Sequence, residues 1–349
     1  MQALVWEGPR RMSLRSVNDP QVGPDEALIR VAYSGICGSE LSGYLGQSSI
    51  RKPPLIMGHE FSGEIVALGD QAAALNPRLS VGSRVTANPL LHSPYSPAAV
   101  RGCQNLSRDR RIIGAHLPGS YDEYVIAPAA NVYSLPDDLT LEIAALTEPL
   151  ACAIRAARLS QSAAGAFTPE SVLITGLGPI GLLTALILKG GPSARGIRRI
   201  IATDTDADRR AIGASFGLHV LDPVGDDVVE TVLAHTDGEG VAAAIDAVGI
   251  AATRNTCVRT VRWGGTVVLV GLHTDETDFP VNHIIRSEIA LQGSFAYTTA
   301  DFEDALQWLT GGGSQLQPWL MHAPLSEGHA CFERLLTQPG PVLKILLSS

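Results

Sequence analysis

Along residues 1–150, hydrophobic positions come in short alternating runs. Ala27–Tyr33, Phe61–Leu68 and Val81–Ala87 alternate with period two, which predicts half-buried strands. Glycines and prolines punctuate these runs at turn-like intervals, the texture of a small irregular β barrel or sandwich. Near Leu141 the period lengthens, and Leu141–Leu159 carries apolar residues at helical spacing. Beyond it, unbroken apolar runs predict buried strands at Ser171–Thr175, Arg199–Thr203, Ala242–Asp246 and Thr266–Val270, with helices over Gly181–Lys189 and Ala207–Phe216 between them. Strands alternating with helices predict a doubly wound parallel sheet in an α/β protein. After residue 284 the rhythm is expected to stop. A helix over Asp301–Leu309 and a strand over Val342–Leu347 are then expected to return to the first domain. The predicted organisation is a discontinuous domain, 1–150 plus 285–349, around a second domain at 151–284. No repeat or low-complexity segment interrupts it.

Composition narrows the class. The chain has 349 residues, long enough for two cores, with 45% hydrophobic and 17% charged residues. That excludes a disordered chain. A net charge of −9, from 26 basic and 35 acidic residues, argues against a nucleic-acid partner. Only Lys52, Lys189 and Lys344 are lysines; the other basic residues are arginines, a bias that reads as coding preference. The five cysteines (37, 103, 152, 257 and 331) show no disulfide spacing. The start, Met1–Glu7, lacks the basic and apolar regions of a signal peptide, and the most apolar stretch, Val172–Leu188, is broken by three glycines and a proline. A soluble protein of a reducing, cytoplasmic compartment is expected, with no membrane partner.

The sharpest motif is Gly176-Leu-Gly178-Pro179-Ile180-Gly181, a G-x-G-x-x-G run between a predicted strand and a predicted helix. The first glycine permits the tight turn, the second lets a pyrophosphate approach the backbone, and the third lets helix and strand pack closely. The helix N-terminus offers free N–H groups to the phosphates. Asp204, at the end of the next strand, can accept hydrogen bonds from ribose hydroxyls and would repel a 2′-phosphate, which points to NAD. It lies 28 residues beyond Gly176, more than the usual ~20, and the excess reads as a loop insertion over Gly190–Gly196. Arg209 and Arg210 pull the other way, since an arginine there can serve the phosphate of NADP.

Cys37, His59, Glu60 and Glu148 form the second constellation. One thiolate, one imidazole and one or two carboxylates suit a zinc ion with an open coordination position. No spacing rule brings these residues together, and a buried cysteine, a capping glutamate and a core histidine would read equally well from chemistry alone.

Resemblance decides between those readings. Gly35-Ile-Cys-Gly-Ser-Glu40, Gly58-His-Glu60, Glu148-Pro-Leu150, Gly176–Gly181, Gly264–Leu272 and Gly293-Ser-Phe295 resemble, in order, the motifs of the zinc-dependent medium-chain alcohol and polyol dehydrogenases. The matches span nearly the whole chain. The resemblance implies a GroES-like β-rich catalytic domain plus a Rossmann domain, with the active site in the cleft between them. It implies one catalytic zinc on Cys37, His59 and Glu148, with Glu60 ligating directly or through water. Ser39 matches the hydroxyl that takes the alcohol proton, although capping of the next helical turn would also explain it. Asp204, Arg209, Val248, Val270, Gly271, Leu272, Ser294 and Phe295 join the glycine motif as expected cofactor contacts. A homodimer or homotetramer is implied, and Glu-Pro-Leu at Glu148 resembles the sorbitol and sugar-alcohol branch.

Three departures matter. Relatives with a structural zinc carry four cysteines where this chain has Ser93, Ser96, Ala99 and Ser107, so no second zinc is expected. Ser42 replaces a histidine that completes the proton relay in many relatives; the proton would leave through Ser39, the cofactor ribose and water, or through His116. Ala296 stands where sorbitol dehydrogenases have an arginine, which puts sorbitol itself in doubt. Tyr44, His116, Phe295 and Tyr297 are expected in the pocket, the core or its rim. Cys152 and Cys257 are expected to be inert core thiols, and His273 a solvated loop residue. The expected activity is oxidation of a secondary hydroxyl of a polyol, sugar derivative or similar small-molecule alcohol, with hydride transfer to NAD. The alternatives are a biosynthetic ketone or keto-sugar reductase using NAD(P)H, and a non-catalytic binding protein.

Overall fold

The computed structural model describes residues 1–162, 170–192, 194 and 196–349. Two compact units emerge: Met1–Glu148 with Thr298–Ser349, and Pro149–Tyr297. Part of the expected insertion at Gly190–Gly196, namely Ser193 and Arg195, lies outside the described residues.

The first unit is β-rich. Its main sheet runs in the order Val132–Ser134, Arg84–Ala87, Glu60–Leu68, Glu26–Gly35, Lys344–Ser348, Leu320–Pro324, and Tyr124–Pro128 also pairs with Glu26–Gly35. Alternation gives Glu26–Gly35 one inward face: Ala27, Ile29 and Val31 pack against Phe61, Ile65, Val85, Val125 and Val132. The C-terminal return is an integral strand. Leu346 and Leu347 pair antiparallel with Gly35 and Ser34, and the strand runs parallel to Leu320–Pro324. Ile345, Leu346 and Leu347 are fully buried. At about 1.5–3 kcal/mol for each large apolar side chain, their burial favours the return of the tail. A second core joins this strand to the N-terminal strand Gln2–Gly8 through Leu4, Trp6, Met57, Tyr121, Phe332 and Ile345.

The second unit is the expected Rossmann sheet. Six strands, Ser171–Thr175, Arg199–Thr203, His219–Leu221, Val241–Asp246, Val261–Leu269 and Ala290–Gly293, pair in parallel with spatial order 3-2-1-4-5-6. Val172, Leu173 and Ile174 are all inaccessible. Helices cover both faces of such a sheet, which is why its strands read as unbroken apolar runs.

Three expectations need correction. The β-α rhythm does not stop at 284. Helix Val281–Arg286 and strand Ala290–Gly293 extend the parallel sheet, and the second unit ends at Tyr297 rather than at 284. The signal was weak because the last strand is exposed at Ala290, Leu291 and Gly293 and lacks a buried-strand composition. The first boundary falls after Glu148, inside the helix Thr147–Ser162, rather than after 150. The helical spacing over Leu141–Leu159 resolves into two helices, Leu141–Ala144 and Thr147–Ser162, with Glu148 at the opening of the second. The strand expected over Val81–Ala87 begins at Arg84, because Val81-Gly82-Ser83 turns and Gly82 holds φ +89°. Among the described residues no helix is long and apolar enough to cross a membrane.

Candidate active site

The strand Glu26–Gly35 ends against the helix Gly38–Tyr44, and Cys37 is the N-cap of that helix in an extended conformation. Three residues on, Glu40 points back and accepts the Cys37 N–H at 3.0 Å. This closes the helix start in the manner of a capping-box glutamate and fixes the cysteine. Gly58 holds φ +100°, and a Cβ there would lie 2.6 Å from Ser120 Oγ and 2.8 Å from the Tyr121 nitrogen. Only glycine fits. The turn aims the Gly58 N–H at Glu40 Oε1 (2.8 Å) and places His59 at the start of the strand Glu60–Leu68.

The result is a compact donor set. Cys37, His59 and Glu60 each offer a ligand atom, all within 4.8 Å of one another. A thiol, an imidazole and a carboxylate in that space fit a zinc ion. Glu40, fully buried, bonds His59 Nδ1 at 2.8 Å and accepts the Tyr121 hydroxyl. Burial opposes its ionisation, yet the imidazole of His59, with Arg51 and Tyr121, holds its carboxyl down to about 2. Binding Nδ1 leaves His59 Nε2 for a metal, the carboxylate–histidine arrangement that orients metal ligands. Glu60 is buried, and its carboxylate meets Lys344 Nζ at 2.7 and 2.9 Å. The lysine also donates to Ile36 O at 3.1 Å. Burial works against the Lys344 charge, but Glu60 foremost, with Cys37 and Glu148, raises its pKa. Glu148 opens the helix Thr147–Ser162, half-buried and outside the close trio.

Ser39 does not cap the helix; Cys37 occupies that position. Its hydroxyl donates to Cys37 Sγ at 3.4 Å and accepts from Arg51 Nη2 at 3.2 Å. Sequence reasoning missed Arg51, Glu40, Tyr121 and Lys344. The Cys-x-x-Glu spacing carried a capping signal for Glu40. A lone lysine within Val342–Leu347 signalled a paired buried charge. Nothing local marked Arg51 or Tyr121. Tyr44 is core: it is fully buried against Phe332, and its hydroxyl bonds Glu333 at 2.6 Å. Tyr297 is also buried, whereas His116 is exposed and Phe295 half-buried. Cys257 is buried with its thiol pushed up by burial, and Cys152 is half-buried. His273 is exposed. The lobe without the four zinc-ligand cysteines carries hydrogen bonds at those positions: Ser96 Oγ meets Ser107 Oγ at 2.6 Å, and the Ser93 N–H reaches Asp109 at 2.9 Å.

In the second unit the dinucleotide elements gather at the carboxyl ends of the strands. Helix Pro179–Gly190 starts on Gly178. A Cβ at Gly181 would lie 1.8 Å from Gly176 O, so helix–strand contact demands glycine there. At Gly178 a Cβ would meet only Arg209 Nη1, at 3.8 Å. That open cradle at a helix N-terminus fits a pyrophosphate. Asp204 accepts the N–H groups of Leu177 (2.7 Å) and Asp206 (2.8 Å), with Arg209 3.8 Å away. Arg210 is tied to Asp222 at 2.9 Å and to the carbonyls of Asp204 and Thr205. Val248 and Gly249 donate to Asp246, while Val270 and Gly271 donate to its carbonyl. Leu272 is exposed, and the Ser294 N–H closes onto Leu269 O at 2.9 Å. Ala296 holds φ +47°.

A GroES-like β unit carrying a cysteine–histidine–glutamate donor set, in one chain with a Rossmann unit, defines a metal-dependent dehydrogenase class. The family described as alcohol dehydrogenase GroES-like domain matches residues 23–137, and zinc-binding dehydrogenase matches 179–311. L-galactonate-5-dehydrogenase of Escherichia coli K12 is 32% identical over 92% of this chain and 91% of its own length. D-arabitol-phosphate dehydrogenase of Enterococcus avium is 30% identical over 98% and 95%. A solved chain from Sinorhizobium meliloti 1021, assigned as a zinc-binding dehydrogenase and bound to NADP, superposes with TM-score 0.88 at 28% identity, covering 100% and 99%. The chain belongs to the zinc-dependent medium-chain alcohol and polyol dehydrogenase family. A catalytic zinc and a nicotinamide dinucleotide are its expected cofactors.

Proposed function

We propose that this chain oxidises a secondary hydroxyl of a polyol or sugar derivative to the ketone, using one catalytic zinc and NAD. The observation that carries the reading is the convergence of Cys37, His59 and Glu60 within 4.8 Å, with the Ser39 hydroxyl 3.4 Å from the cysteine sulfur. These three residues would hold the zinc, and Glu148 would be the further ligand. When bound, zinc supplies a Lewis acid that lowers an alcohol's pKa, and nicotinamide supplies the hydride acceptor. Ser39 Oγ takes the alcohol proton. Glu40 holds His59 in one tautomer and orientation, and Lys344 holds the Glu60 carboxylate in place through contacts of 2.7 and 2.9 Å. Gly176, Gly178, Pro179, Ile180 and Gly181 cradle the pyrophosphate. Asp204 would meet the adenosine ribose, and Val248, Val270, Gly271, Leu272, Ser294 and Phe295 would serve the nicotinamide end of the cofactor. Support for NAD over NADP comes from Asp204, with Arg209 drawn toward its carboxylate. The relatives named for a sugar acid and a polyol phosphate support a polyhydroxylated substrate.

A cytoplasmic homodimer or homotetramer completes the reading. The five scattered cysteines, with no disulfide-framework spacing, support a reducing compartment. The exposed sheet edge at Ala290–Gly293, with Leu291, Ile285 and Val281 open to solvent, supports self-association. The test is an NAD⁺-reduction screen across polyols, sugars and amino alcohols, with NADP⁺ in parallel and Cys37→Ala as control. Activity that persists in Cys37→Ala rejects the zinc mechanism, and a strong NADP⁺ preference rejects the role given to Asp204. A zinc content near two per subunit would reject the single-zinc reading.

A further inference from the structure

We propose that Arg51 recognises an anionic group on the substrate, so that the alcohol oxidised here carries a carboxylate or a phosphate. The inference rests on the dehydrogenase reading above and adds to it the chemistry of the substrate's far end.

Arg51 is 5% exposed, and all its described contacts lie in the first unit. Its Nη1 donates to Ser39 O and its Nη2 to Ser39 Oγ, both at 3.2 Å. The guanidinium therefore abuts the hydroxyl that touches Cys37 Sγ. Among the described residues no carboxylate lies within 4.0 Å of it, and its buried Nε has no acceptor. Glu40 is near enough to feel its charge, but the oxygens of Glu40 are already taken by the Cys37 and Gly58 N–H groups, His59 and Tyr121. A guanidinium carries five N–H donors in a fork that matches carboxylate and phosphate. Two of these donors are used here, both on neutral oxygens. A charge buried in this way is costly unless an anion completes it.

The fold keeps the arginine in place. A Cβ at Gly43 would lie 2.8 Å from Arg51 Cδ, so the helix Gly38–Tyr44 makes room for this side chain only because residue 43 is glycine. Further cationic groups stand nearby. Arg111, which has no ion pair among the described residues, donates to His116 O at 3.3 Å. The His116 ring accepts the Ile112 N–H on Nδ1 at 3.1 Å, leaving Nε2 to carry the proton. Burial first, then Arg111, Arg51 and Arg110, lowers the His116 pKa. A neutral polyol would leave the Arg51 guanidinium without an anion.

The experiment compares three substrates on the zinc-loaded full chain with NAD⁺: a neutral pentitol, the same pentitol bearing a terminal phosphate, and the corresponding aldonate. The expected result is that kcat/KM for one anionic member exceeds that of the neutral polyol by about ten- to a hundredfold, the scale of a charge-assisted hydrogen-bonded pair. Which member gains identifies carboxylate or phosphate. Arg51→Met should remove that advantage, and Arg51→Lys should restore part of it. Calorimetric titration of the same ligands supplies a readout independent of turnover. If none of the three reduces NAD⁺, yet the anionic ligand binds wild type and not Arg51→Met, the dehydrogenase reading fails while the anion site stands. Equal binding and turnover of neutral and anionic ligands overturns the proposal. So does an Arg51→Met enzyme with a raised KM for NAD⁺ and an unchanged preference among the three, which would give the guanidinium to the cofactor's phosphates.

Discussion

Lys344→Met is the most informative perturbation of the site's scaffold. Lys344 is 3% exposed, and its ammonium lies 2.7 and 2.9 Å from the two oxygens of Glu60 and donates to Ile36 O. Methionine keeps most of the volume and removes the charge, leaving the carboxylate of Glu60, itself 1% exposed, without its cation. Removing one partner of a buried pair costs about 3–5 kcal/mol, mostly the penalty of the uncompensated charge left behind. For a unit of this size, each kcal/mol moves the melting temperature by about 2–4 °C. A fall of roughly 6–20 °C is expected in chelator-treated protein, followed by calorimetry or circular dichroism. Lys344→Met combined with Glu60→Gln should recover much of the loss, because an amide is cheaper to bury than an orphaned carboxylate. Zinc added to the single variant should also narrow the gap by giving Glu60 another cation. A single variant within about 1 kcal/mol of wild type, or a double variant as unstable as the sum of the singles, would refute the pairing argument.

Three further outcomes follow from the same geometry. Burial raises the Asp122 carboxyl from its usual 3.8 to about 7. Because the folded value is the higher one, its contribution to stability is complete below 3.8 and disappears as the pH rises through about 7. Asp122→Asn should therefore stabilise the protein at pH 8 by about 1–3 kcal/mol relative to its effect at pH 4, as read by urea unfolding at both pH values. Gly178→Ala should leave thermal stability nearly unchanged, since the new methyl meets only Arg209 Nη1 at 3.8 Å, while raising the KM for NAD⁺ about tenfold. Gly181→Ala, which drives a methyl to 1.8 Å from Gly176 O, should instead lower the melting temperature sharply; equal thermal effects of the two would contradict the cradle. Tyr44→Phe, which removes the 2.6 Å bond to Glu333, should cost about 1 kcal/mol, and an unchanged unfolding midpoint would show that this bond contributes nothing.

What the sequence determined by itself is the periodic and the local. Runs such as Ser171–Thr175 are apolar at every position because a parallel strand is buried on both faces. The glycines at 176, 178 and 181 reveal themselves because backbone geometry restricts the residue type. Cys37, His59, Glu60 and Glu148 were legible as chemistry, and family resemblance supplied the grouping that spacing could not. The strand Ala290–Gly293 was missed because an exposed edge carries no hydrophobic signature. Only the tertiary structure decided which charges meet. Lys344 reaches Glu60 across 284 residues of chain, and Tyr121 reaches Glu40 across 81. Arg51 comes to Ser39 from a segment with no local motif at all. Electrostatic and hydrogen-bond energies depend on distance in space and on exclusion of water, and neither quantity is written in the order of the residues. The sequence specified the reagents of this site, while the fold determined their partners and the ionisation of Glu40.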